Sequence, residues 1–434
     1  MKRYKEYKPS VIKWIGEIPT GWIDLKIKYR SKILNGYAFK SEEYVEDGIP
    51  IIRIGDIRPA ITLDSCKRVP LSYLEEYSEF IIQRGDVLLA LTGATIGKST
   101  VYDLDEPALL NQRVAVVRPQ NGSNQIYLRY IIDSYFFRRH IDLECEGGAQ
   151  ENIGKEEIGR FSVSMPSVEE QTSIADYLDR KTAQVDNLIA KKQKLIDLLN
   201  EEKTAIINQA VTKGLDPNTP MKDSGIPWLG EIPTHWEIKK IKYIANLTLG
   251  KMLTGEDKGG NFLKPYLRAQ NISWFKCDTS DVKEMWFSQS ELIKYRVNLN
   301  DLLVSEGGDV GRTCIWMNEL DECYIQNSVH KITFKKYFNP KYFLYLFYSF
   351  GQKGYFLSIV NQISIGHLTG EKLKEVFTIF PGFDEQTAIV DYLDRKTDQM
   401  DDVISKTHHE IELLQEYRTA LISEAVTGKI DVRI

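Results

Sequence analysis

Residues 169–186 read EEQTSIADYLDRKTAQVD and residues 384–401 read DEQTAIVDYLDRKTDQMD, with 13 of 18 positions identical. Residues 14–29, WIGEIPTGWIDLKIKY, recur at 228–243 as WLGEIPTHWEIKKIKY, with 11 of 16 positions identical. The copies are offset by 215 residues in the first pair and by 214 in the second. Nearly the whole chain is therefore a tandem duplication, and a repeat of this length dictates the architecture.

Weaker matches fill the interval between these two pairs. IPIIRIGDI (49–57) matches KPYLRAQNI (264–272), and GDVLLALTGATIGKS (85–99) matches NDLLVSEGGDVGRT (300–313). The ends of each copy have stayed similar while the middles have diverged. This pattern is typical of two copies that share a framework and differ in their surfaces.

Each copy has two parts by periodicity. The first has short β-branched runs, such as DVLLAL (86–91), that are broken by Gly, Pro and Asn, which predicts strands with some helix. The second, 169–212 and 384–427, contains no proline and predicts one long helix per copy. Alternating spacings of four and three from Ile174 and from Ile389 are apolar at seven of ten positions in each helix, which predicts a coiled-coil seam.

The expected fold class is α+β, with two pseudo-two-fold-related globular domains joined by two long antiparallel coiled-coil helices. The linker KGLDPNTPMKDSGIPW (213–228) contains three prolines, so the first helix ends there, and its end resembles KPSVIKW (8–14). The expected domains are a globular domain at 1–168, a helix at 169–213, a linker at 214–227, a second globular domain at 228–383, a second helix at 384–428 and a tail at 429–434.

Composition restricts the class of protein. A chain of 434 residues exceeds one hydrophobic core. It has no apolar run long enough to span a membrane and no apolar segment behind its basic N-terminus, so we expect a cytoplasmic protein without membrane partners. Five scattered cysteines without a C-x-x-C pair indicate neither a disulfide framework nor a zinc site. With a net charge of −5, any nucleic-acid surface must be local or shared with a partner.

The stretch LTGATIGKST (91–100) invites comparison with a nucleotide-binding loop, but one residue is missing from G-x-x-x-x-G-K-[ST]. In the second copy the same stretch reads SEGGDVGRTC, which aligns Lys98 with Arg312. A glycine turn beside a strand, with a cation that can contact a DNA phosphate, explains both versions better. FNPKYF (338–343) is interpreted as a helix started by Pro340, and the run from His408 to Glu410 as a solvated helix face. We therefore expect neither catalytic residues nor a metal site.

A two-fold protein with two diverged globular domains suits a DNA site with two different halves. Arginine and lysine at equivalent positions in both copies are the candidates for DNA contact, with positioning on phosphate favoured over base reading where a position is shared. A structural ion pair, such as Arg53 with Asp56, is the alternative for each. The candidates are Arg53 and Arg268, Lys98 and Arg312, Lys26 and Lys28, and Lys240 and Lys242.

The repeated D-Y-L-D-R-K-T segments are the best-preserved polar residues in the duplication. Ion pairing of Asp176 with Arg180, four residues apart, explains part of this. Such surface pairs are weak, so two identical docking surfaces for two copies of one partner explain it better. The candidates are Asp176, Asp179, Arg180 and Lys181 in the first copy, and Asp391, Asp394, Arg395 and Lys396 in the second.

The combined pattern resembles the specificity subunit of type I restriction-modification systems. It comprises W-[IL]-G-E-I-P-x-x-W, R-x-x-[DN]-I, the strand with its glycine turn, and [ED]-E-Q-x-x-I-x-x-Y-L-D-R-K-T, in this order in both copies. The resemblance implies target recognition domains that read the two halves of an asymmetric site on double-stranded DNA, and helices that set the spacing. It implies two methyltransferase subunits and restriction subunits as partners. S-adenosylmethionine, ATP and Mg²⁺ would belong to those partners, and this chain would bind no cofactor and carry no catalysis.

Two other interpretations compete with this one. A coiled-coil scaffold or adaptor without DNA specificity would explain the helices but not two diverged domains. A nucleotide-dependent enzyme would use the loop at 91–100.

Overall fold

The computed structural model describes residues 2–58, 60–120, 122–145, 152–257, 259, 261–360 and 366–433. The chain forms two compact units, of which unit 1 comprises Met1–Lys192 and His408–Ile434 and unit 2 comprises Gln193–Thr407. The division falls inside two long helices, Val168–Lys213 and Phe383–Val426. Each unit therefore contains the first part of one long helix and the last part of the other.

Unit 1 is built from two four-stranded sheets and two strand pairs. The sheets have the orders β6-β5-β10-β7 and β4-β11-β8-β9, and the pairs are β1-β2 and β12-β3. The strands are β1 Tyr7–Pro9, β2 Glu17–Pro19, β3 Ile23–Lys26, β4 Ser31–Asn35, β5 Ile49–Ile52, β6 Lys67–Val69, β7 Ile81–Ile82, β8 Val87–Ala90, β9 Ser99–Val101, β10 Ala108–Leu110, β11 Val114–Pro119 and β12 Ser162–Met165. The helices are α1 Tyr73–Glu76, α2 Gln125–Ile132, α3 Tyr135–Cys145, α4 Lys155–Arg160 and the first part of α5 Val168–Lys213.

Unit 2 repeats this plan. Its sheets have the orders β16-β24-β21-β22 and β20-β17-β23, with the pairs β13-β14, β15-β25 and β18-β19. The strands are β13 Met221–Asp223, β14 Glu231–Pro233, β15 Glu237–Lys240, β16 Ala245–Leu249, β17 Phe262–Leu267, β18 Ile272–Ser273, β19 Lys276–Cys277, β20 Lys283–Phe287, β21 Leu302–Ser305, β22 Thr313–Ile315, β23 Tyr324–Ile325, β24 Val329–Phe334 and β25 Phe377–Phe380. The helices are α6 Ile241–Ile244, α7 Gln289–Tyr295, α8 Pro340–Gln352, α9 Tyr355–Ser358, α10 Gly370–Glu375 and the first part of α11 Phe383–Val426.

The strand registers confirm the predicted duplication. β1 pairs with β2 through Tyr7 opposite Pro19, and β13 pairs with β14 through Met221 opposite Pro233. The expected likeness of the N-terminal leader to the end of the linker is therefore a shared hairpin. β13 lies inside the segment that the sequence suggested as a linker. That segment is therefore not all linker, because β13 makes backbone hydrogen bonds with β14.

The long helices pack antiparallel within each unit, as the sequence predicted. In unit 1, Arg418 Nε lies 2.9 Å from Asp186 Oδ1, and Lys192 pairs with Glu410. The residue numbers of the paired positions fall along α11 as they rise along α5, so the two helices are antiparallel. In unit 2, Ile207 and Ile389 belong to one core cluster. α5 ends at Lys213, where Gly214 adopts φ +78°.

The predicted seam is wrong at several positions of α5 and α11, although Val185 and Thr407 are buried as predicted. Leu188 and Leu195 on α5 are each 42% exposed, and Val403 on α11 is 43% exposed. The buried face of α5 is displaced by one residue, so that Ile196 is 3% exposed. The predicted seam and the true one both have apolar side chains at coiled-coil spacing, so periodicity alone does not choose between them.

Four of the five cysteines, Cys66, Cys277, Cys314 and Cys323, are buried and form no disulfide, so they serve as packing residues of the cores. The core of unit 2 also contains a histidine on β24, His330, which has no exposed surface. Its Nε2 lies 2.6 Å from the Leu368 carbonyl oxygen, and burial lowers the pKa of the ring. A neutral imidazole is therefore part of the folded core.

We predict that unit 2 loses stability as the pH falls below about 6.5, because the unfolded chain binds a proton on this ring that the folded chain rejects. His330→Gln retains a donor for Leu368 without a titrating ring, so its melting temperature should fall less between pH 7.5 and 5.5. Thermal melts, with hydrogen exchange of β24 as the local reporter, measure this. Equal pH dependence of both proteins would refute the prediction.

Candidate DNA and partner interfaces

The R-x-x-[DN]-I motif forms the same tight turn in both units. The Arg53 backbone N–H donates to Asp56 Oδ2 at 2.9 Å, and the Arg268 backbone N–H donates to Asn271 Oδ1 at 2.9 Å. A carboxylate oxygen and an amide oxygen serve equally as the acceptor. The exchange of aspartate for asparagine therefore preserves the turn, and both arginine side chains start from the same backbone position.

The two arginines differ in their side-chain partners. Arg53 Nε lies 3.5 Å from Asp56 Oδ2, so the ion pair that the sequence offered as the alternative is present, and the side chain is 35% exposed. Within the described chain its two terminal nitrogens have no protein partner. Arg268 Nη2 donates to the Asp281 carbonyl oxygen at 2.6 Å and to its Oδ2 at 3.0 Å. Lys283 and Arg268 together lower the pKa of that carboxyl. Arg53 is therefore the more available of the two for a DNA anion.

The glycine turn is a hairpin corner, as the sequence suggested. Gly97 and Gly311 adopt φ +77° and +83°. Their N–H groups donate to the Ala90 and Ser305 carbonyl oxygens at 2.9 and 3.0 Å. These N–H groups close the turns between β8 and β9 and between β21 and β22. They are consequently not free to bind phosphate, which removes the physical basis for a nucleotide loop.

The cations beside these turns are in different states. Lys98 is exposed and has no ion-pair partner in the described part of the chain. Arg312 is half-buried, and its Nη1 lies 3.5 Å from Asp309 Oδ2. Lys98 of unit 1 is therefore more available than Arg312 for contact with a DNA phosphate.

The lysine pairs show the same contrast. Lys240 Nζ and Lys242 Nζ lie 2.7 and 2.5 Å from the two carboxylate oxygens of Glu375, and the lysines lower the pKa of that carboxyl to about 2. Lys26 and Lys28 are exposed at the equivalent positions. At the position equivalent to Glu375, unit 1 has Arg160, which pairs with Glu144 and Glu157 at 2.8 and 3.1 Å. The carboxylate that neutralises the unit 2 lysines is therefore missing from unit 1.

We predict that Lys26→Ala with Lys28→Ala weakens binding of the complete complex to its DNA site roughly tenfold and lowers the salt slope of log Kd by about two. Fluorescence anisotropy across a salt series measures both. The matched variant Lys240→Ala with Lys242→Ala should change each quantity less, because Glu375 already compensates those charges. An equal loss in both variants would contradict this difference between the units.

Part of the repeated D-Y-L-D-R-K-T segment anchors the globular part of each unit to its helix. In unit 1, Asp179 Oδ1 accepts from Tyr130 Oη at 2.6 Å and from Arg129 Nη2 at 2.8 Å. In unit 2, Asp394 accepts from Tyr345 Oη at 2.7 Å and from Lys341 Nζ at 2.6 Å. The carboxylates of these two docking candidates are thus engaged within their own units.

The remaining docking candidates leave an exposed surface. Asp176, Arg180, Asp391, Arg395 and Lys396 are exposed, and Lys181 is half-buried. The expected ion pair of Asp176 with Arg180 is wrong, because Arg180 Nε donates to the Asp176 carbonyl oxygen at 3.4 Å instead. Helix-face ion pairing therefore does not account for the conservation of these residues between the copies.

The glutamine at the start of each long helix is a second anchor, which sequence reasoning did not single out. Gln386 is 1% exposed, accepts from the Asn339 N–H at 2.9 Å and donates to the Pro381 carbonyl oxygen at 2.9 Å. Gln171 accepts from the Asn124 N–H at 2.7 Å and donates to the Pro166 carbonyl oxygen at 3.0 Å. A glutamine at this position in both copies was the feature of the sequence that could have identified the anchor.

Sequence reasoning also missed several exposed apolar side chains on the long helices of each unit. These side chains are 42% to 51% exposed and lie on both helices of the pair; they are Leu188, Leu413 and Tyr417 in unit 1 and Leu195, Leu198 and Val403 in unit 2. Leu188 is equivalent to Val403, and Leu413 to Leu198. Leu188, Leu195, Val403 and Tyr417 belong to the periodic apolar pattern of the sequence, but that pattern was assigned to the buried seam.

The motifs that resembled catalytic ones are structural. Asn339 caps α8 by accepting from the Lys341 N–H at 3.0 Å, and Pro340 is the first helical residue, which confirms the interpretation of FNPKYF. His408 and His409 lie exposed on α11. The part of the chain that the structure describes contains no group of three or more His, Cys, Asp or Glu arranged to hold a metal. Among the same residues, no helix combines the length and the apolar character that crossing a bilayer requires.

Comparison with known proteins defines the class. The family model described as "Type I restriction modification DNA specificity domain" matches residues 19–198 and 233–413. The chain belongs to this family and carries two copies of its domain. It is thus a specificity subunit of the type I restriction-modification class with two recognition domains.

Individual relatives agree with this assignment. The EcoKI specificity subunit of Escherichia coli K12 is 21% identical over 96% of this chain and 90% of that protein. The EcoBI specificity subunit of Escherichia coli is 24% identical over 98% and 90%. The MjaVIII specificity subunit of Methanocaldococcus jannaschii is 30% identical over 48% and 49%.

Solved structures show the same fold. A chain from a study of complex assembly and conformational transition of the type I R-M system superposes with a TM-score of 0.66, at 15% identity, over 95% of this chain and 99% of that one. The HsdS subunit from Thermoanaerobacter tengcongensis superposes with a TM-score of 0.52, at 14% identity, over 95% and 98%.

Proposed function

We propose that each recognition domain reads one half of a bipartite, asymmetric site on double-stranded DNA and that the long helices set the distance between the halves. Two methyltransferase subunits dock on this chain and methylate adenine within the site. With restriction subunits, the same complex cleaves DNA in an ATP-dependent reaction. This chain contributes recognition and assembly and no catalysis, while S-adenosylmethionine, ATP and Mg²⁺ are bound by the partner subunits.

One observation carries the proposal that the two half-sites differ. The framework contacts of the two units are the same, down to the turn made by the Arg53 and Arg268 backbones, whereas the exposed cations at equivalent positions have different partners. Phosphate contacts position a protein on DNA, and base contacts specify the sequence. Two copies of one framework with different exposed side chains suit two DNA halves of different sequence.

The repeated helix surfaces support docking of two copies of one partner. Each unit exposes the Asp176–Arg180 or Asp391–Arg395 turn, and apolar side chains of both long helices are also exposed. Exposed apolar side chains on the same helices as charged ones are typical of a protein interface. Because Leu188 is equivalent to Val403, Leu413 to Leu198 and the charged turns to each other, one kind of partner fits both surfaces.

Methylome sequencing of the host tests the function as a whole. We expect methylated adenines in a two-part motif and their disappearance when this gene is deleted. Restoring the gene with one recognition domain exchanged for another should alter one half of the motif only. If the deletion left the methylome unchanged, the scaffold without DNA specificity would be the better explanation.

A further inference from the structure

In each unit, two residues that face each other across neighbouring strands form a position that the duplication has not preserved. They are Leu91 and Arg113 in unit 1, and Glu306 and Ser328 in unit 2. The Leu91 N–H donates to the Arg113 carbonyl oxygen at 3.0 Å, and the Glu306 N–H donates to the Ser328 carbonyl oxygen at 2.9 Å. We call these residues the variable pair of each unit. Their backbones are equivalent, so the two pairs differ only in their side chains.

The variable pair of unit 2 lies between the two motifs that supply the candidate phosphate contacts. On one side, the Ala269 N–H of the R-x-x-[DN]-I turn donates to Ser328 Oγ at 3.0 Å. On the other side, Ser305, which precedes Glu306, accepts from the Gly311 N–H of the glycine turn at 3.0 Å. Side chains that read bases must lie within reach of the DNA that the phosphate contacts position. The variable pair of unit 2 lies in such a place.

The variable pair of unit 1 has the same two neighbours. The Asn111 N–H donates to the Ile52 carbonyl oxygen at 3.1 Å, which holds the strand end that carries Arg113 beside the turn of Arg53. The glycine turn follows directly after Leu91 in the sequence. Both units therefore present their variable pair between the same two repeated motifs.

The two pairs carry opposite charges. Arg113 is exposed, and its side chain has no ion pair or hydrogen bond with any residue that the structure describes. Glu306 is half-buried and, among the same residues, has no ion pair or hydrogen bond through its carboxylate. Burial raises the pKa of that carboxyl, an effect that His367 opposes. Unpartnered charges that lose contact with water cost stability, and they concentrate at functional sites.

A carboxylate between the two motifs does not suit a role in holding phosphate. DNA is a polyanion, so it repels Glu306 unless the carboxylate accepts a hydrogen bond from a base. In the major groove, cytosine presents its N4 amino group, and glutamate is a side chain that accepts from it. Arginine donates to O6 and N7 of guanine. The opposite charges of the two pairs therefore suit two different bases.

We propose that the variable pair reads one base pair in each half-site. Arg113 of unit 1 donates to O6 and N7 of a guanine, and Glu306 of unit 2 accepts a hydrogen bond from N4 of a cytosine. The proposal rests on the proposed function, since it needs each recognition domain to read one half-site. It adds the side chains that discriminate and the bases that they select.

DNA binding by the complex of this chain with its methyltransferase subunit tests the assignment, once methylome sequencing has defined the two-part motif. Fluorescence anisotropy gives the Kd for the wild-type duplex and for duplexes with each single base-pair substitution. We expect Arg113→Ala to lose about tenfold of discrimination at one guanine in one half of the motif. Glu306→Leu should lose about as much at one cytosine in the other half, and all other positions should keep their discrimination.

Glu306→Gln separates direct contact from a structural role. The amide offers a donor as well as an acceptor, which suits N7 and N6 of adenine. We expect this variant to accept adenine at the position where the wild type requires cytosine. Without DNA, Glu306→Leu should melt at no lower temperature than the wild type, because the carboxylate has no partner to lose and unit 1 has leucine at this position.

Lys98→Ala and Asp309→Ala are the matched controls, because each removes an exposed charge from a glycine turn. They should change the affinity for all duplexes by the same factor and leave the preferred bases as they are. Full discrimination in Arg113→Ala or Glu306→Leu, rejection of adenine by Glu306→Gln, or a lower melting temperature of Glu306→Leu would overturn the assignment while leaving half-site recognition intact. A wild-type complex that methylates no two-part motif would overturn the proposed function itself.

Discussion

Insertion of the same four residues after Gln193 in α5 and after His408 in α11 is expected to abolish methylation of the present DNA site and to create methylation at a site whose unchanged halves are further apart. The two positions are equivalent in the duplication, so the antiparallel pairing of the helices is preserved. Four residues lengthen a helix by about 6 Å and turn it by little more than one full turn. Because the surfaces of the recognition domains are untouched, the bases that they read should stay the same.

Methylome sequencing of a strain that carries the insertion measures both outcomes. Insertion of two residues at the same positions is the control, because it rotates the following helix by about 200° and turns its apolar face away from its partner. That variant should lose methylation altogether. A four-residue insertion that changed the bases within a half-site, or that left the spacing unaltered, would argue against helices that set the distance.

Replacement of Gln386 by alanine is expected to lower the free energy of unfolding of unit 2 by about 3 kcal/mol, since two buried backbone groups lose their partners at once. These are the Asn339 N–H and the Pro381 carbonyl, each 2.9 Å from the glutamine side chain. Both lie where α8 and α11 begin. Urea denaturation, followed by fluorescence and by hydrogen exchange of α8, measures the loss.

Gln399→Ala is the control for this variant, because Gln399 is exposed on the same helix. It should change the free energy of unfolding by less than about 0.5 kcal/mol. Gln386→Glu separates the two bonds, because it retains an acceptor for Asn339 but offers no donor to Pro381 at neutral pH. If Gln386→Ala were as stable as the control, the buried glutamine would not be an anchor.

The two units combine a common framework with unequal surfaces. Three sets of contacts are the same in both units. They are made by Asp179 and Asp394, by Gln171 and Gln386, and by the turns of Arg53 and Arg268. The cations at the surface do not repeat their contacts, because Glu375 pairs with the unit 2 lysines where unit 1 has Arg160, and because Arg268 pairs with Asp281 whereas Arg53 pairs with Asp56. A recognition protein built by duplication can change its binding surfaces in this way without endangering either fold.

Most of the architecture could be predicted from the sequence because the chain contains its own comparison. The repeat aligned Gly97 with Gly311 and Lys98 with Arg312, which was enough to reject a nucleotide loop. It also identified Pro340 as a helix start rather than part of a methyltransferase motif. Shared residues indicate a shared framework, and that inference needs no coordinates.

The role of each shared residue could not be predicted in the same way. Asp176 and Asp179 look alike in the repeated segment, yet one is exposed and the other is bound to Tyr130 and Arg129. Which carboxylate faces its own domain depends on where a distant helix, α2, packs. A surface for partners and an internal anchor therefore share one conserved segment, and sequence identity does not distinguish them.

The sequence by itself determined the duplication, the α+β fold and the two long helices, because these follow from repeated residues and from local periodicity. Only the tertiary structure decided which stripe of each helix is buried. Ile196 and Leu195 are adjacent and both apolar, so the free energy of burying either is similar, and the packing of the opposite helix chooses between them. The other face of each helix, which includes Leu188, Leu195 and Val403, is exposed. It is the surface on which we propose that the partners dock.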